Sequence, residues 1–434
     1  MGARRILLLG GGVGSYAVLK ALRPHAEAIF VAESAGVPNE CAASAMADGA
    51  VTVHGWFRPW SPVAAAPEEE DLRVVDAVLA AAAARSVTHV VAIRESLVLP
   101  LSAHHEAFEA RGITLCVPPE GAVRAIHDKF ALHRHALEHG VEVPAMRTVR
   151  GTGEALAIAE AELGYPAIVR SDISAGSSGV RYAGDARVLG ETVGDWLGAG
   201  RRVAISEYVA GAVEPSGVLV LGRDRRVLAE TWLRKIRYAS ASRSCCVVTT
   251  RPPPGVERLR ELLAGVGFRG MAGIQLKRDE RTGRCVLVEI NARPGQNSKI
   301  VLELWRRAGA DPGAILLGAF EPPGGAPEFS PPAGLVGVSV PEDLMALYRA
   351  LGAPSRAGAR PDNPAPGPRL IARSFVDSYL RRRCTVDSVS RSLFGDHRFF
   401  LRSVPALLGR IAGEPLGLVP WGDLDLLSRA GGHD

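Results

Sequence analysis

No apolar stretch in this sequence is long enough to cross a bilayer. The run from Ile6 to Leu9 ends in glycines and is too short for the apolar core of a signal peptide. The late stretch Phe399 to Val419 is interrupted by Arg402, Arg410, Glu414 and two prolines, so no membrane span is expected. Cysteine is sparse: Cys41, Cys116, Cys245, Cys246, Cys285 and Cys384 show neither C-x-x-C spacing nor a regular framework, which argues against a stapled secreted fold and a zinc site and for a reducing cytoplasm. Aromatic residues make up only 6%, and no long basic block or aromatic-interleaved basic stripe occurs, so nucleic acid is not an expected partner. The longest basic run, Arg381 to Arg383, reads as a solvated helix face. No internal repeat is evident.

What is present is a chain of 434 residues with 47% hydrophobic content, enough for two or three packed domains at about 100–200 residues each. The 51 basic residues against 46 acids give a net charge of +5, which suits anionic small molecules. Ile6 to Leu9 reads as a buried strand, Gly10 to Gly14 as a tight turn, Ser15 to Leu22 as a helix and Ala28 to Ala32 as a second strand. A helix over Leu72 to Ala84, a strand at His89 to Ile93, a helix over Leu101 to Arg111 and a strand at Thr114 to Val117 continue the alternation, which implies a parallel, doubly wound sheet. A helical region with Asp128 and Lys129 near its start ends at Gly140. It is followed by a helix at Glu154 to Leu163, a strand at Pro166 to Arg170, a helix around Val188 to Leu197 and a strand at Val203 to Val209. Two hairpins, Gly217 to Leu221 with Arg226 to Thr231 and Ala272 to Lys277 with Arg284 to Asn291, turn the later sheet antiparallel. Gly- and Pro-rich stretches at Glu321 to Gly334 and Gly352 to Gly367 are candidate boundaries.

Three groups of residues can carry chemistry. The Gly10-x-Gly12 turn, with Glu33 at the end of the next strand, fits either a dinucleotide site or a plain strand-to-helix turn. The Ser174 to Gly179 loop has glycines that let backbone N–H groups approach phosphate oxygens, although no Gly-Lys-Ser/Thr closes it as in a P-loop; a surface loop is the alternative. The third is a strand pair. Alternation puts residues 285, 287, 289 and 291 on one face, so Glu289 and Asn291 point together with Gln275 opposite, offering oxygen ligands of the kind hard cations take beside phosphate. Arg293, Gln296, Asn297 and Lys299 follow at once. His133, His135 and His139 have helical spacing but no supporting ligand and read as an exposed helix face, and Cys245-Cys246 reads as two small strand residues.

In this order the motifs resemble the ATP-grasp superfamily, in its carbamoyl-phosphate-synthase-like and D-aspartate-ligase-like branch, over residues 1 to about 310. The likeness rests on His127-Asp128-Lys129, Gly164 to Arg170, the Ser/Gly loop, Ser206 to Gly211, Gly270 to Asp279 and Val288 to Arg293. It implies an α/β and α+β multidomain fold: a Rossmann-like domain at 1–125, an ATP-grasp domain at 126–320 with a lid at about 145–210, and a C-terminal appendage at 321–434. By resemblance, Lys129 and Arg170 contact ATP phosphates, and Ser174, Gly176, Ser177, Ser178 and Gly179 close over them. Glu207, Tyr208 and Val209 lie beside adenine, largely through backbone groups, and Glu214 holds the ribose. Gln275, Glu289 and Asn291 bind Mg²⁺, or Mn²⁺ in its place. Arg293 holds the transferred phosphate or the carboxylate, and Lys235 and Arg237 supply further cations.

Two positions depart from the family pattern. Arg170 stands where Lys is usual, which keeps the charge but adds a planar fork. Gln275 stands where the first metal carboxylate is usual. The implied reaction joins a small-molecule carboxylate to an amine, amino-acid-like in both cases, through an acyl phosphate; a homodimer is the assembly considered. Carbamoyl- or carboxy-phosphate chemistry, a non-catalytic nucleotide-binding regulator and a nicotinamide oxidoreductase are the alternatives.

Overall fold

A computed structural model describes residues 3–54, 68–172, 179–210, 215–240, 243–279, 282–295, 297–323, 328–344, 374–381 and 384–402. The first sheet contains β1 (Arg5–Leu9), β2 (Ala28–Ser34), β3 (Gly49–Val53), β4 (His89–Ala92) and β5 (Thr114–Cys116), in the order β3-β2-β1-β4-β5 and all parallel. Ile6 to Leu9 are completely buried. Ile6 and Leu8 pack into one cluster with helix Tyr16–Leu22, while Leu7 and Leu9 pack into another with helix Glu68–Ala83. A parallel strand covered on both faces has to be apolar without alternation, which is why this short run reads as it does. Strand β3 was not anticipated. The single helix expected over Leu101 to Arg111 is instead two, Glu95–Ala103 and His105–Glu109, and the first begins immediately beyond β4.

The second sheet has the order β6-β9-β7-β8, with β6 (Met146–Val149), β7 (Ala167–Ser171), β8 (Val180–Ala183) and β9 (Val203–Glu207), all antiparallel. One face is covered by helices Thr152–Ile158 and Ala186–Gly198, through Ala155, Leu189, Val193 and Trp196.

The third sheet is formed by β10 (Pro215–Leu221), β11 (Val227–Ser240), β12 (Arg243–Thr250), β13 (Gly270–Arg278), β14 (Cys285–Asn291), β15 (Val336–Val338) and β16 (Thr385–Val386). Its order is β14-β13-β10-β11-β12-β15-β16. The two expected hairpins are present as β10–β11 and β13–β14, though β11 runs nine residues beyond Thr231, to Ser240. Strands β15 and β16 come from beyond residue 320, so the expected boundary there does not separate two sheets. Helix Ser298–Arg307 lies beneath this sheet, with Ile300, Leu304 and Trp305 fully buried. A Cβ on Gly337 of β15 would stand 2.2 Å from Ile300 Cγ2, so only glycine allows the approach. Trp421 to Leu426, which the sequence offers for packing back on the core, lie outside the described residues. Among those described, no helix is long and apolar enough to cross a membrane.

Glu303 ties three segments together. Its buried carboxylate receives Lys20 Nζ at 2.7 Å from the first helix and Arg306 Nη1 at 2.8 Å from its own, with Arg391 Nη1 at 3.6 Å. The cations left behind are a quarter or more exposed and can be solvated, so Glu303→Ala is expected to cost about 1–2 kcal/mol, measured by urea unfolding. A loss below half a kcal/mol would contradict this role.

Candidate active site

Strands β13 and β14 pair with Gln275 opposite Glu289 and Gly273 opposite Asn291, so Gln275, Glu289 and Asn291 share one face. The expected uninterrupted alternation over 285, 287, 289 and 291 does not hold. The register shifts at Val288, and this bulge puts Leu287 into the core beside Ile290 while Glu289 and Asn291 turn to the opposite face. Bulges commonly re-aim side chains beside active sites. The donor set is all oxygen, with one carboxylate. That fits a hard cation that keeps phosphate oxygens and water as its other ligands.

Two buried cations stand within electrostatic reach of this carboxylate. Lys129 opens helix Lys129–Glu138, whose N-cap Asp128 accepts from Phe130 N at 2.8 Å and Ala131 N at 3.2 Å. Burial lowers the Lys129 pKa; Glu289 acts against that shift and Arg170 with it. Arg170 projects from β7, is 9% exposed, and donates Nε–H to Ser206 Oγ at 3.0 Å. Burial lowers its pKa as well, with Glu289 opposing. A cleft of about 310 Å³ is lined by Lys129, Arg170, Ser206, Met146, Leu287 and Val288, between the second and third sheets. Of the Ser/Gly loop only Gly179 is described; its carbonyl accepts from Ser171 N at 3.0 Å. Ser174, Gly176, Ser177, Ser178 and Glu214 lie outside the described residues, as does Gln296.

The expected adenine edge lies at the end of β9. Glu207 accepts from Arg284 Nη1 at 2.6 Å and from Ala145 N at 3.1 Å, and its own N–H donates to Ala145 O at 2.9 Å, so it joins the second sheet to the start of β14. Lys277 Nζ stands 4.5 Å from the Tyr208 ring centroid, Tyr182 meets that ring edge-on at 5.3 Å, and Val209 is buried.

Arg293, just past β14, donates through Nη2 to Glu95, and the other oxygen of Glu95 is 3.3 Å from His127 Nδ1. Lys235 is half-buried on β11, opposite Val247. Arg237 differs from its expected role. It is 3% exposed, forks onto Asp343 at 2.7 and 2.6 Å, donates to Ser374 and Ser378 hydroxyls at 2.7 and 2.9 Å, and stacks 4.2 Å from the Phe375 ring centroid. Its donors are engaged with the C-terminal segment, so it anchors that segment to β11. The three histidines are half-buried rather than exposed: His133 Nε2 meets Pro144 O at 2.9 Å, His135 pairs with Glu138, and His139 Nδ1 meets His135 O. Cys245 and Cys246 lie fully buried in β12, and burial pushes both thiols up.

Glu95 and Ser206 were missed as contributors. A polar residue opening the helix that follows a parallel strand is a signal for Glu95. Nothing local could reveal its partner 198 residues later.

The glycine turn is filled by the protein itself. Glu33 is 2% exposed; Oε2 accepts from Gly11 N at 2.9 Å and Arg94 Nη2 at 2.5 Å, and Oε1 from Ser34 N at 2.8 Å. A Cβ on Gly11 would fall 2.0 Å from Asn39 Oδ1, and Cys41 N reaches Gly11 O at 2.8 Å. Glu33, the acid that a dinucleotide site would turn toward the ribose, is therefore committed to the turn, and the segment around Asn39 and Cys41 closes over the glycines. The turn is a strand-to-helix connection.

No family model matches the chain. Over 245 residues it is 24% identical to the carbamoyl phosphate synthase large chain of Thermus thermophilus, covering 54% of this chain and 24% of that one; it thus spans about a quarter of that relative's length. N5-carboxyaminoimidazole synthetase from Staphylococcus aureus matches with a TM-score of 0.58 at 14% identity, over 83% of this chain and 90% of that one. The biotin carboxylase domain of Hydrogenobacter thermophilus 2-oxoglutarate carboxylase, solved with MgADP, ADP and bicarbonate, matches with a TM-score of 0.57 at 16% identity, over 73% and 70%.

The chain has the ATP-grasp fold. The parallel first sheet is its N-terminal Rossmann-like part, and the ATP-grasp sheets enclose the cleft that holds Lys129 and Arg170. Within this ATP-grasp frame Arg237 is a structural anchor. Asp343→Asn is therefore expected to destabilise the chain by about 3 kcal/mol in denaturant unfolding while leaving nucleotide affinity within twofold. Loss of nucleotide affinity without loss of stability would return Arg237 to the site.

Proposed function

We propose that the chain is an ATP-dependent carboxylate–amine ligase. The observation that carries this reading is the placement of Lys129 and Arg170 within electrostatic reach of Glu289, with Gln275 and Asn291 on the same strand face and Arg293 at the end of β14. Under this reading ATP lies between a lid of about residues 145–210 and the core sheet of a 126–320 ATP-grasp domain. Residues 1–125 contribute substrate contacts, and the region from 321 onward braces the core. Lys129 and Arg170 neutralise phosphate oxygens, with the Ser174 to Gly179 loop above them. Backbone groups of Glu207 to Val209 border the adenine, and Glu214 holds the ribose. Glu289, Asn291 and the carbonyl oxygen of Gln275 hold Mg²⁺, or Mn²⁺, against the phosphates.

Transfer of the γ-phosphoryl group to a carboxylate needs little covalent help from the protein; positioning and charge neutralisation suffice. Arg293 is suited to hold the carboxylate in line, with Lys235 as a further cation. Attack by an amine on the acyl phosphate then gives an amide, ADP and phosphate, in a cytoplasmic setting. Bicarbonate is the second carboxylate to consider, because one solved neighbour was captured with that anion.

The test is a screen of carboxylate and amine pairs, bicarbonate included, for ADP release that requires both partners, with mass spectrometry of the product. Nucleotide binding without substrate-stimulated turnover in every pair would overturn the reading and favour a regulator. Glu289→Ala is expected to abolish ADP release while the circular dichroism spectrum is retained; undiminished turnover would remove Glu289 from the metal site. Gln275→Glu adds a second carboxylate and should lower the magnesium concentration for half-maximal rate, whereas an unchanged titration would take Gln275 out of the coordination sphere.

A further inference from the structure

His127 and Glu95 form a pair close to Lys129 and Arg293. Glu95 is the first residue of the helix after β4, in the Rossmann-like part, and its side chain is 7% exposed. One oxygen holds Arg293 and the other lies 3.3 Å from His127 Nδ1. His127 ends helix Glu120–His127, two residues before Lys129, and its side chain is 15% exposed. Its second ring nitrogen, Nε2, takes no hydrogen bond among the described residues and is not one of the polar atoms sealed in the interior. The imidazole is therefore contacted on one side by a carboxylate, with its other nitrogen available, and stands within electrostatic reach of Lys129, Arg293 and Glu289.

A ligase that joins a carboxylate to an amine has a proton to remove. The amine is protonated in neutral solution and must give up one N–H proton before its nitrogen can attack. We infer that His127 is the catalytic residue that takes this proton through Nε2, with Glu95 as the positioning residue that orients the ring and fixes Arg293. The inference rests on the ligase reading.

In the step itself, the ammonium first gives one proton to Nε2 of His127, which passes it to solvent. The free amine then attacks the acyl phosphate carbonyl, and the C–N bond forms. The C–O bond to phosphate breaks with its electron pair leaving on phosphate. The remaining N–H proton, made strongly acidic by the new bond to carbon, is lost to water. No oxidant or reductant enters. Burial lowers the His127 pKa, Lys129 and Arg293 act in the same direction, and Glu95 and Glu289 oppose them, so the neutral, proton-accepting form is the one held near neutral pH.

The experiment compares full-length wild type with His127→Gln and His127→Asn, each checked by thermal melting, using a carboxylate active in the screen. Two acceptors are offered: the productive amine, and hydroxylamine, which is already uncharged at neutral pH and traps acyl phosphate as hydroxamate. Amide formation should fall about 10²–10⁴-fold in both variants, with partial recovery as pH rises or imidazole is added, while hydroxamate formation falls far less. Equal losses with both acceptors, or unchanged amide formation, would overturn the role of His127 alone. Absence of hydroxamate in the wild type with every carboxylate offered would overturn the ligase reading, and this inference with it.

Discussion

Two buried cations within electrostatic reach of one carboxylate set the terms for the rest of the molecule. Lys129 and Arg170 are each about nine-tenths buried, and desolvation acts against the charge on both. An isolated buried charge costs several kcal/mol, so the arrangement requires a compensating anion. Glu289 acts against the shift on both, and a polyanion bound beside them would add to that compensation. The bulge at Val288 is what turns Glu289 to this face; strict alternation from Leu287 would have pointed it into the core. Lys129 is fixed by a capped helix and Arg170 by a buried strand, so the cations are preorganised.

The three sheets are joined through ion pairs that reach between them. Glu95 links the parallel sheet to Arg293 at the end of β14, Arg4 reaches Glu321 at 2.7 Å, and Glu207 links β9 to Arg284. Glu303 and Asp343 do the same for the C-terminal segment, through Lys20 and Arg237. Carboxylates with low exposure and cationic partners from distant segments make the site depend on the relative placement of all three sheets. Substitutions far from the cleft are expected to act through this placement.

Much of the frame was legible in the sequence because local rules govern it. The Ile6 to Leu9 run, the glycine turn and the alternating helices specify a parallel sheet, and the turns at Gly222 and Asp279 specify two hairpins. The pairing of Gln275 with Glu289 follows from the second turn. What escaped was non-local. The Val288 bulge carries no distinctive residue, Glu95 meets Arg293 across 198 positions, and the partner that engages Arg237 lies 106 residues downstream. Glu33 illustrates the limit of motif reading: its spacing suits a ribose, yet its oxygens are bonded to Gly11, Arg94 and Ser34.

The central claim is that the cleft between the second and third sheets takes a magnesium nucleotide. Isothermal titration calorimetry with a non-hydrolysable ATP analogue, with and without Mg²⁺, tests it most directly on the wild type and on the Lys129→Ala, Arg170→Ala double variant. The account predicts one site per chain, weakened when magnesium is withdrawn and lost in the double variant. Binding of undiminished strength in that variant, or no binding to the wild type, would contradict it.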